Sequence, residues 1–250
     1  NRNLFRGSEQ LSIELRGAYE AITGLEGYQD QNYQEYSIES KLVFPRFVAP
    51  LLSKNFRRRQ TANTEYSVAW NLQNRPEFHR RVFSMAWRYR WAEPRHHLNW
   101  RFDLLDLNYV YMPWISETFK RDYLDDADNR NAILRYNYED IFIMKMGFGL
   151  TYSDEVDAFR LNVESSGNLL SAFSKALNFK INSQGQRTFI NIAYAQYAKA
   201  DFDYTHLVRF DDRNVLALHA GIGVAYPYGN SKVLPFEKRY FSGGANSVRG

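Results

Sequence analysis

The sequence predicts an all-β chain, an antiparallel transmembrane β-barrel present in part, with about nine strands. Three observations carry that prediction. Apolar and polar residues alternate with period two along most of the 250 residues. Many alternating runs reach ten residues or more, beyond the roughly five or six of an ordinary strand and close to the roughly 9–11 of a tilted membrane-spanning one. Aromatic residues make up 16% of the chain, with 18 Tyr, 18 Phe and 5 Trp, yet mean hydropathy is −0.54. A membrane barrel combines those two properties because only alternate residues face lipid. No apolar run approaches the ~18 residues of a transmembrane helix.

The strands follow in order. Leu11, Ile13, Leu15, Gly17 and Tyr19 alternate with Ser12, Glu14, Arg16 and Ala18. Tyr36, Ile38, Leu42 and Phe44 share a parity opposite Ser37, Glu39 and Lys41. Tyr66, Val68, Trp70 and Leu72 oppose Glu65, Ser67, Ala69 and Asn71, and Phe83, Met85, Trp87, Tyr89 and Trp91 oppose Ser84, Ala86, Arg88 and Arg90. Leu98, Trp100, Phe102 and Leu104 oppose Asn99, Arg101 and Asp103. After Leu104 the phase is ambiguous through Leu105, Leu107, Tyr109 and Tyr111, and a bulge there would re-phase the strand.

Phe142, Met144, Met146, Phe148, Leu150 and Tyr152 oppose Lys145, Gly147, Gly149 and Thr151, and a shorter strand holds Phe159, Leu161 and Val163. One row keeps even parity from Ile190 through Ile192, Tyr194, Phe202, Tyr204, His206 and Val208 to Phe210, and reads as the longest strand. The last strand sets Leu216, Leu218, Ala220, Ile222, Val224 and Tyr226 against Ala217, His219, Gly221, Gly223 and Ala225. Leu169, Leu170, Phe173 and Leu177, at helical spacing within Asn168–Lys180, predict a short amphipathic helix in a loop.

The polar rows contain Glu14, Arg16, Glu39, Lys41, Arg88, Arg101 and Asp103. A β-sandwich would turn these to solvent and bury the aromatics; a barrel in lipid reverses the sides. Aromatics gather at strand ends (Trp87, Tyr89 and Trp91; Tyr109, Tyr111 and Trp114; Tyr226 and Tyr228), as interfacial girdles require. Small residues crowd the polar row of the last strand, where a sandwich exterior would favour Thr, Lys or Glu. Both features favour the barrel.

Other chemistry is weakly supported. With no cysteine there is no disulfide framework or thiolate site. A net charge of +4 and the run Arg57-Arg58-Arg59 fit a solvated turn or headgroup contact, and no nucleic-acid partner is expected. Asp122, Asp125, Asp126 and Asp128 lack the glycine of a calcium loop, and His96-His97 would point to opposite faces of a strand, so no metal site is expected. A hydrolase on the barrel wall would need its Ser and His on one face; parity turns His206 outward and His219 inward, so neither an enzyme nor a cofactor is expected.

The most informative string is Pro235-Phe236-Glu237-Lys238-Arg239-Tyr240-Phe241-Ser242-Gly243-Gly244-Ala245-Asn246-Ser247-Val248-Arg249-Gly250. The glycines permit a sharp turn, beyond which Arg249 presents a planar, permanently charged fork. This string resembles the sixth extracellular loop of the BamA/TamA superfamily of outer-membrane assembly factors, with its Val-Arg-Gly-aromatic motif. Asn3-Leu4-Phe5-Arg6-Gly7-Ser8-Glu9 resembles the family's periplasmic turn between barrel strands two and three. Phe44-Pro45-Arg46-Phe47 with Pro50 resembles the end of strand four. Gly167-Asn168-Leu169-Leu170 after Glu164, with Ser247-Val248-Arg249-Gly250, is similar to the Bacteroidetes branch, some of whose members are TamA-like lipoproteins.

The resemblance implies that residues 1–250 form part of one outer-membrane barrel domain, roughly strands three to eleven of an expected sixteen, ending within the sixth loop. Soluble POTRA domains would precede it and the final strands would follow it. It implies insertion or folding of client β-barrel proteins in the outer membrane, with lipid contact and periplasmic or lipoprotein accessory subunits as possible partners. A porin-like channel and a two-partner-secretion pore are the alternatives. Carried over residue by residue, Gly243, Gly244, Val248, Arg249 and Gly250 form the functional loop motif. Arg249 would reach into the lumen toward an acidic or aromatic site on later strands.

Overall fold

The computed structural model describes residues 2–4, 8–21, 32–49, 61–124, 138, 140–174, 176, 178–183, 185–211 and 213–240. Ten strands form one antiparallel sheet, paired in the order β1 (Arg2–Leu4), β2 (Glu9–Glu20), β3 (Tyr33–Phe44), β4 (Thr61–Asn74), β5 (Phe78–Glu93), β6 (Leu98–Ile115), β7 (Ile141–Ser153), β8 (Asp157–Ser166), β11 (Tyr197–Arg209) and β12 (Val215–Pro227). A small hairpin, β9 (Thr188–Phe189) and β10 (Ile192–Ala193), is inserted between β8 and β11. Each strand of the large sheet pairs with its predecessor in that order, the meander expected of a barrel wall. Among the described residues β1 and β12 are the two edges and the sheet is not closed. The count exceeds the expected nine because Arg2–Leu4 pairs as a strand and the hairpin is separate.

The cross-strand register keeps each predicted row on one face. On the apolar face Ile38 lies opposite Trp70, Trp70 opposite Phe83, Trp91 opposite Trp100, Trp100 opposite Leu150, and Phe202 opposite Ile222. Its side chains are open to the surroundings: Leu15 is 72% exposed and Ile222 66%. Buried aliphatics on the opposite face would mark a sandwich core. That face instead carries Lys41, Glu65, Arg88, Arg101, Asp103, Lys145 and Glu164, interlocked by ion pairs. The apolar face is the lipid side and the charged face lines the lumen.

The bulge falls at the position expected. The register shifts between Trp87 and Arg88 and between Asp103 and Asp106, so Leu104 and Leu105 together occupy one step of the ladder. The extra residue turns both Asp103 and Asp106 into the lumen while Leu105, Leu107 and Tyr109 rejoin the lipid face. Arg88 then meets both carboxylates, at 3.6 Å and 3.2 Å.

The long row from Ile190 to Phe210 is not one strand, which corrects the sequence reading. Ile190 (φ 52°) and Asn191 (φ 63°) form the two-residue turn of the β9–β10 hairpin, and β11 begins only at Tyr197. The predicted helix is shorter than its pattern, covering Asn168–Phe173; Leu170 is buried while Leu169 and Phe173 are exposed. His96 and His97 are not on a strand. Pro94–His96 is a 3₁₀ turn, His97 has φ 55°, and His96 Nδ1 lies 3.5 Å from Glu93. His206 and His219 do sit on opposite faces, opposite Leu218 and Thr205 respectively.

Connections differ between the two ends of the sheet. One end carries residues 21–32, 116–140, 167–196 and the chain after Pro227, with one tight turn at 75–77; the other carries 5–8, 94–97, 154–156 and 210–214, with 45–60 the one long connection. The turn at Asp154 shows how a short connection is held. Its carboxylate accepts from the Tyr152 hydroxyl at 2.5 Å and from the Asp157 and Val156 N–H groups, which together hold its pKa down at about 2. The support this gives the turn is complete above the ordinary carboxylate range near pH 4 and is lost as pH falls toward 2.

At the short-turn end the chain after β3 folds onto the lipid side. Phe47 packs on Tyr89 and Trp91, and the Tyr89 hydroxyl donates to the Val48 carbonyl at 3.1 Å. The fully buried Thr64 hydroxyl donates to the Arg46 carbonyl at 2.8 Å and accepts from the Val48 N–H at 2.9 Å. Thr64→Val keeps the shape and removes both bonds, so it is expected to cost about 1–3 kcal/mol, read as a lower urea midpoint for unfolding from detergent micelles. Strand β6 has 18 residues, about 60 Å of extended chain. Even tilted by about 40° it outreaches an apolar band of about 25 Å. The loop 167–196 therefore packs Leu170, Ile192, Tyr194, Phe179 and Phe189 on the projecting part of the wall at Phe142, Met144 and Tyr109.

Candidate functional site

The chain after β12 turns back over the lumen and docks on its wall. Gly229 sits at φ 58° and starts the reversal. Asn230 then clamps the root of this loop to the loop between β8 and β11. Its side-chain amide donates to the Arg187 and Tyr194 carbonyls, both at 2.9 Å, and its side-chain oxygen accepts from the Arg187 N–H at 2.7 Å. Its backbone N–H donates to Gln196 Oε1 at 2.9 Å. The Ser231 hydroxyl accepts from the Gln196 N–H at 2.8 Å, and the Tyr228 hydroxyl donates to Asn168 at 2.8 Å. Five polar side chains thus hold two loops together at the long-loop end.

Beyond the clamp the chain descends. Leu234 packs against a small apolar cluster of Ile143, Ala195 and Tyr197. Phe236–Lys238 makes one 3₁₀ turn, and the next side chains reach the charged wall. Glu237 lies 3.7 Å from Arg80 on β5 and accepts from Asn108 on β6 at 3.3 Å. Lys238 Nζ lies 3.3 Å from Glu164 on β8, and its carbonyl accepts from Lys199 on β11 at 3.3 Å. The Arg239 guanidinium donates back to the Leu234 carbonyl at 3.0 Å, closing the turn. The Tyr240 hydroxyl donates to Asp201, and Lys199 Nζ sits 4.1 Å from the centre of its ring.

This docking explains the small residues of β12. A Cβ on Gly223 would lie 2.5 Å from the Tyr240 ring, so the ring occupies the space that any larger residue would fill. A Cβ on Gly221 would lie 3.0 Å from Asp203.

Glu164 is the centre of the anchor. It takes Lys145 at 2.8 Å, Lys238 at 3.3 Å and the Tyr197 hydroxyl at 3.1 Å. Lys145 also approaches Asp106 at 3.8 Å, Asp106 meets Arg88, and Arg88 meets Glu65, which takes Lys41 at 3.0 Å. An unbroken ladder of alternating charge therefore crosses the lumen wall from β3 to β8 and ends on the loop. Each member has an opposite partner, which offsets the cost of removing these charges from bulk water.

The sequence singled out Gly243, Gly244, Val248, Arg249 and Gly250, and all five lie outside the described residues. What the structure adds is the stretch just before them, Leu234–Tyr240, held in the lumen by partners on five strands. Sequence reading missed Glu237, Lys238 and Tyr240 as anchors, although the glycines opposite the apolar row of β12 were a visible trace of the docked ring. Of the acidic loop, Asp122 lies in a short helical stretch, Lys120–Leu124, beside Arg121, while Asp125, Asp126 and Asp128 lie outside the described residues. Among the described residues no cluster of His, Cys, Asp and Glu has the geometry to hold a metal ion, and no helix is long and apolar enough to cross a membrane.

A search of curated proteins returned no match to this chain. A family model described as the Omp85 superfamily domain matches residues 9–250, nearly the whole length. That match agrees with the meander of long strands, the lipid-side aromatics and the charged lumen holding an in-folded loop. The chain belongs to the Omp85 superfamily, whose members are outer-membrane β-barrels of protein insertion and translocation.

Proposed function

We propose that this chain is the wall and in-folded loop of an outer-membrane assembly factor, which inserts and folds client β-barrel proteins in the outer membrane. The observation that supports this reading best is the docking of Leu234–Tyr240 on the lumen wall. A passive channel keeps its lumen open, whereas here a loop is held inside by charge pairs, an aromatic ring and a clamp at its root. The long loops face the cell exterior and the short turns the periplasm, the arrangement common to outer-membrane barrels.

Arg249 follows Tyr240 by nine residues, at most about 30 Å of extended chain. In this reading Arg249 acts within the lumen and pairs with an acidic or aromatic site on later strands of the full barrel, and the anchoring of Tyr240 on the lumen wall supports it. Gly243 and Gly244 allow the approach, and Val248 and Gly250 flank the guanidinium. With the loop fixed, the seam between the first and last barrel strands opens laterally and offers an unpaired edge. A client strand adds to that edge by β-augmentation. Client barrels, outer-membrane lipid and periplasmic or lipoprotein accessory subunits are the partners of this reading, and it requires no cofactor.

The test is Arg249→Ala in the full-length protein, followed by two readouts. The variant is expected to reach the membrane as a heat-modifiable barrel and to lose at least tenfold in the rate of client barrel assembly into proteoliposomes. Wild-type assembly would overturn the role of Arg249. High steady conductance of the wild-type protein with no client assembly would instead favour a porin-like or secretion pore.

A further inference from the structure

A second feature of the lumen lies below the loop anchor, toward the short-turn end. A cavity of about 700 Å³ opens on the charged face, and its lining includes Arg90 on β5, Arg101 on β6 and Arg160 on β8. The carboxylates on its rim are already engaged: Glu164 with Lys145 and Lys238, and Asp201 with Tyr240 and, at 3.9 Å, Lys199. The arginines are under-matched. Arg90 approaches Glu65 at 3.7 Å, but that carboxylate also serves Lys41 and Arg88. Arg101 lies 3.3 Å from Asp103, which Arg88 shares. The Arg160 side chain makes no ion pair or hydrogen bond among the described residues. Its register partner Asp203 lies 3.6 Å from His219 Nε2, a contact that is an ion pair only when the imidazole is protonated.

The wall is shaped to leave these guanidiniums accessible. Gly149 stands between Arg101 and Asn162 in the ladder, and a Cβ there would lie 3.2 Å from Asn162 Oδ1 and 3.4 Å from Arg101 Nε. Arg101 lies across this glycine and donates to Asn162 at 3.3 Å. From β5 to β8 the arginines span three interstrand steps, with Arg160 two residues off the row of Arg90 and Arg101, about 16 Å in all. A single phosphate or carboxylate bridges one or two guanidiniums and cannot cover that distance. Side chains on one face of an extended chain recur about every 6.7 Å, so carboxylates at positions i, i+2 and i+4 cover about 13 Å.

We infer that this cavity binds an extended acidic polypeptide segment, with carboxylates at alternate positions meeting Arg90, Arg101 and Arg160. The segment enters from the short-turn mouth, three residues below Arg160 on β8, and lies across the strands under the docked loop. The inference rests on the charged face being the lumen, as the proposed function also requires. It adds that the lumen selects chains by charge.

The test uses the full-length protein in detergent micelles with a fluorescein-labelled Glu-Ser-Glu-Ser-Glu peptide, read by anisotropy at low salt. Saturable binding is expected, falling with added salt and absent for the Lys-Ser counterpart. Arg160→Gln removes no ion pair among the described residues and is expected to weaken binding about tenfold. Arg101→Gln combined with Arg160→Gln is expected to weaken it about a hundredfold. Arg95→Gln, in a turn at the same end but outside the cavity, should leave it unchanged. Unaltered affinity in the Arg160→Gln variant, with wild-type heat-modifiable mobility, overturns the proposal. Complete displacement of the peptide by an equal concentration of inorganic phosphate also overturns it, because the site then takes a small anion. Client assembly is measured separately, so loss of peptide binding with assembly intact sinks this inference and leaves the proposed function standing.

Discussion

Glu164→Ala is expected to free the loop from the lumen wall and to cost about 3 kcal/mol of barrel stability. The carboxylate holds two ammonium groups and a phenol, and the variant leaves Lys145 and Lys238 facing each other without it. Breaking a buried pair by removing one partner costs about 3–5 kcal/mol. The lower end applies because Glu164 keeps 18% of its side-chain surface exposed. Two measurements check it: the urea midpoint of the heat-modifiable form, and trypsin cleavage after Lys238 or Arg239. Wild-type protein should resist that cleavage and the variant should not. Adding Lys238→Met to Glu164→Ala removes one of the stranded charges and should recover part of the stability without restoring protection. A resistant Glu164→Ala protein would show that the loop is held by other contacts.

Ile222→Arg is expected to destabilise the barrel by about 2–4 kcal/mol, the cost of arginine at the lipid face near the bilayer midplane. Ile222 is the eighth of thirteen residues in β12 and is 66% exposed. On a soluble protein an exposed substitution of this kind falls within about 0.5 kcal/mol of neutral. The experiment is a urea titration of the full-length barrel refolded in phospholipid vesicles, with His219→Arg on the opposite face of the same strand as control. A loss in Ile222→Arg with little change in His219→Arg identifies the side that meets lipid. Equal tolerance of both would return the fold to a β-sandwich.

Much of this architecture was legible because alternation is enforced by the environment itself. Lipid on one side and water on the other leave each strand one acceptable phase, so Trp70, Trp87 and Trp100 all landed where parity put them. The bulge was legible for the same reason: Leu104 and Leu105 side by side break the alternation visibly. The break within Ile190–Phe210 was not, since a two-residue hairpin turn shifts the chain by an even number and leaves parity untouched. Nor do its turn residues announce themselves. Hairpins of this kind favour Asn-Gly or Asp-Gly, whereas a β-branched Ile190 at φ 52° is an outlier that no local pattern predicts. The loop anchor was hidden for a further reason. Lys238 meets Glu164, 74 residues earlier in the chain, and only the assembled register puts the two together.

The bulge in β6 makes one strand obey two reading frames. Up to Asp103 odd-numbered residues belong to water, and from Leu105 to Tyr111 odd-numbered residues belong to lipid. Removing a single residue at that joint would act on the structure as a frameshift acts on a coding sequence, correct on one side and inverted on the other. The charge ladder from Lys41 to Glu164 straddles the joint, so its continuity depends on a residue that carries no charge at all.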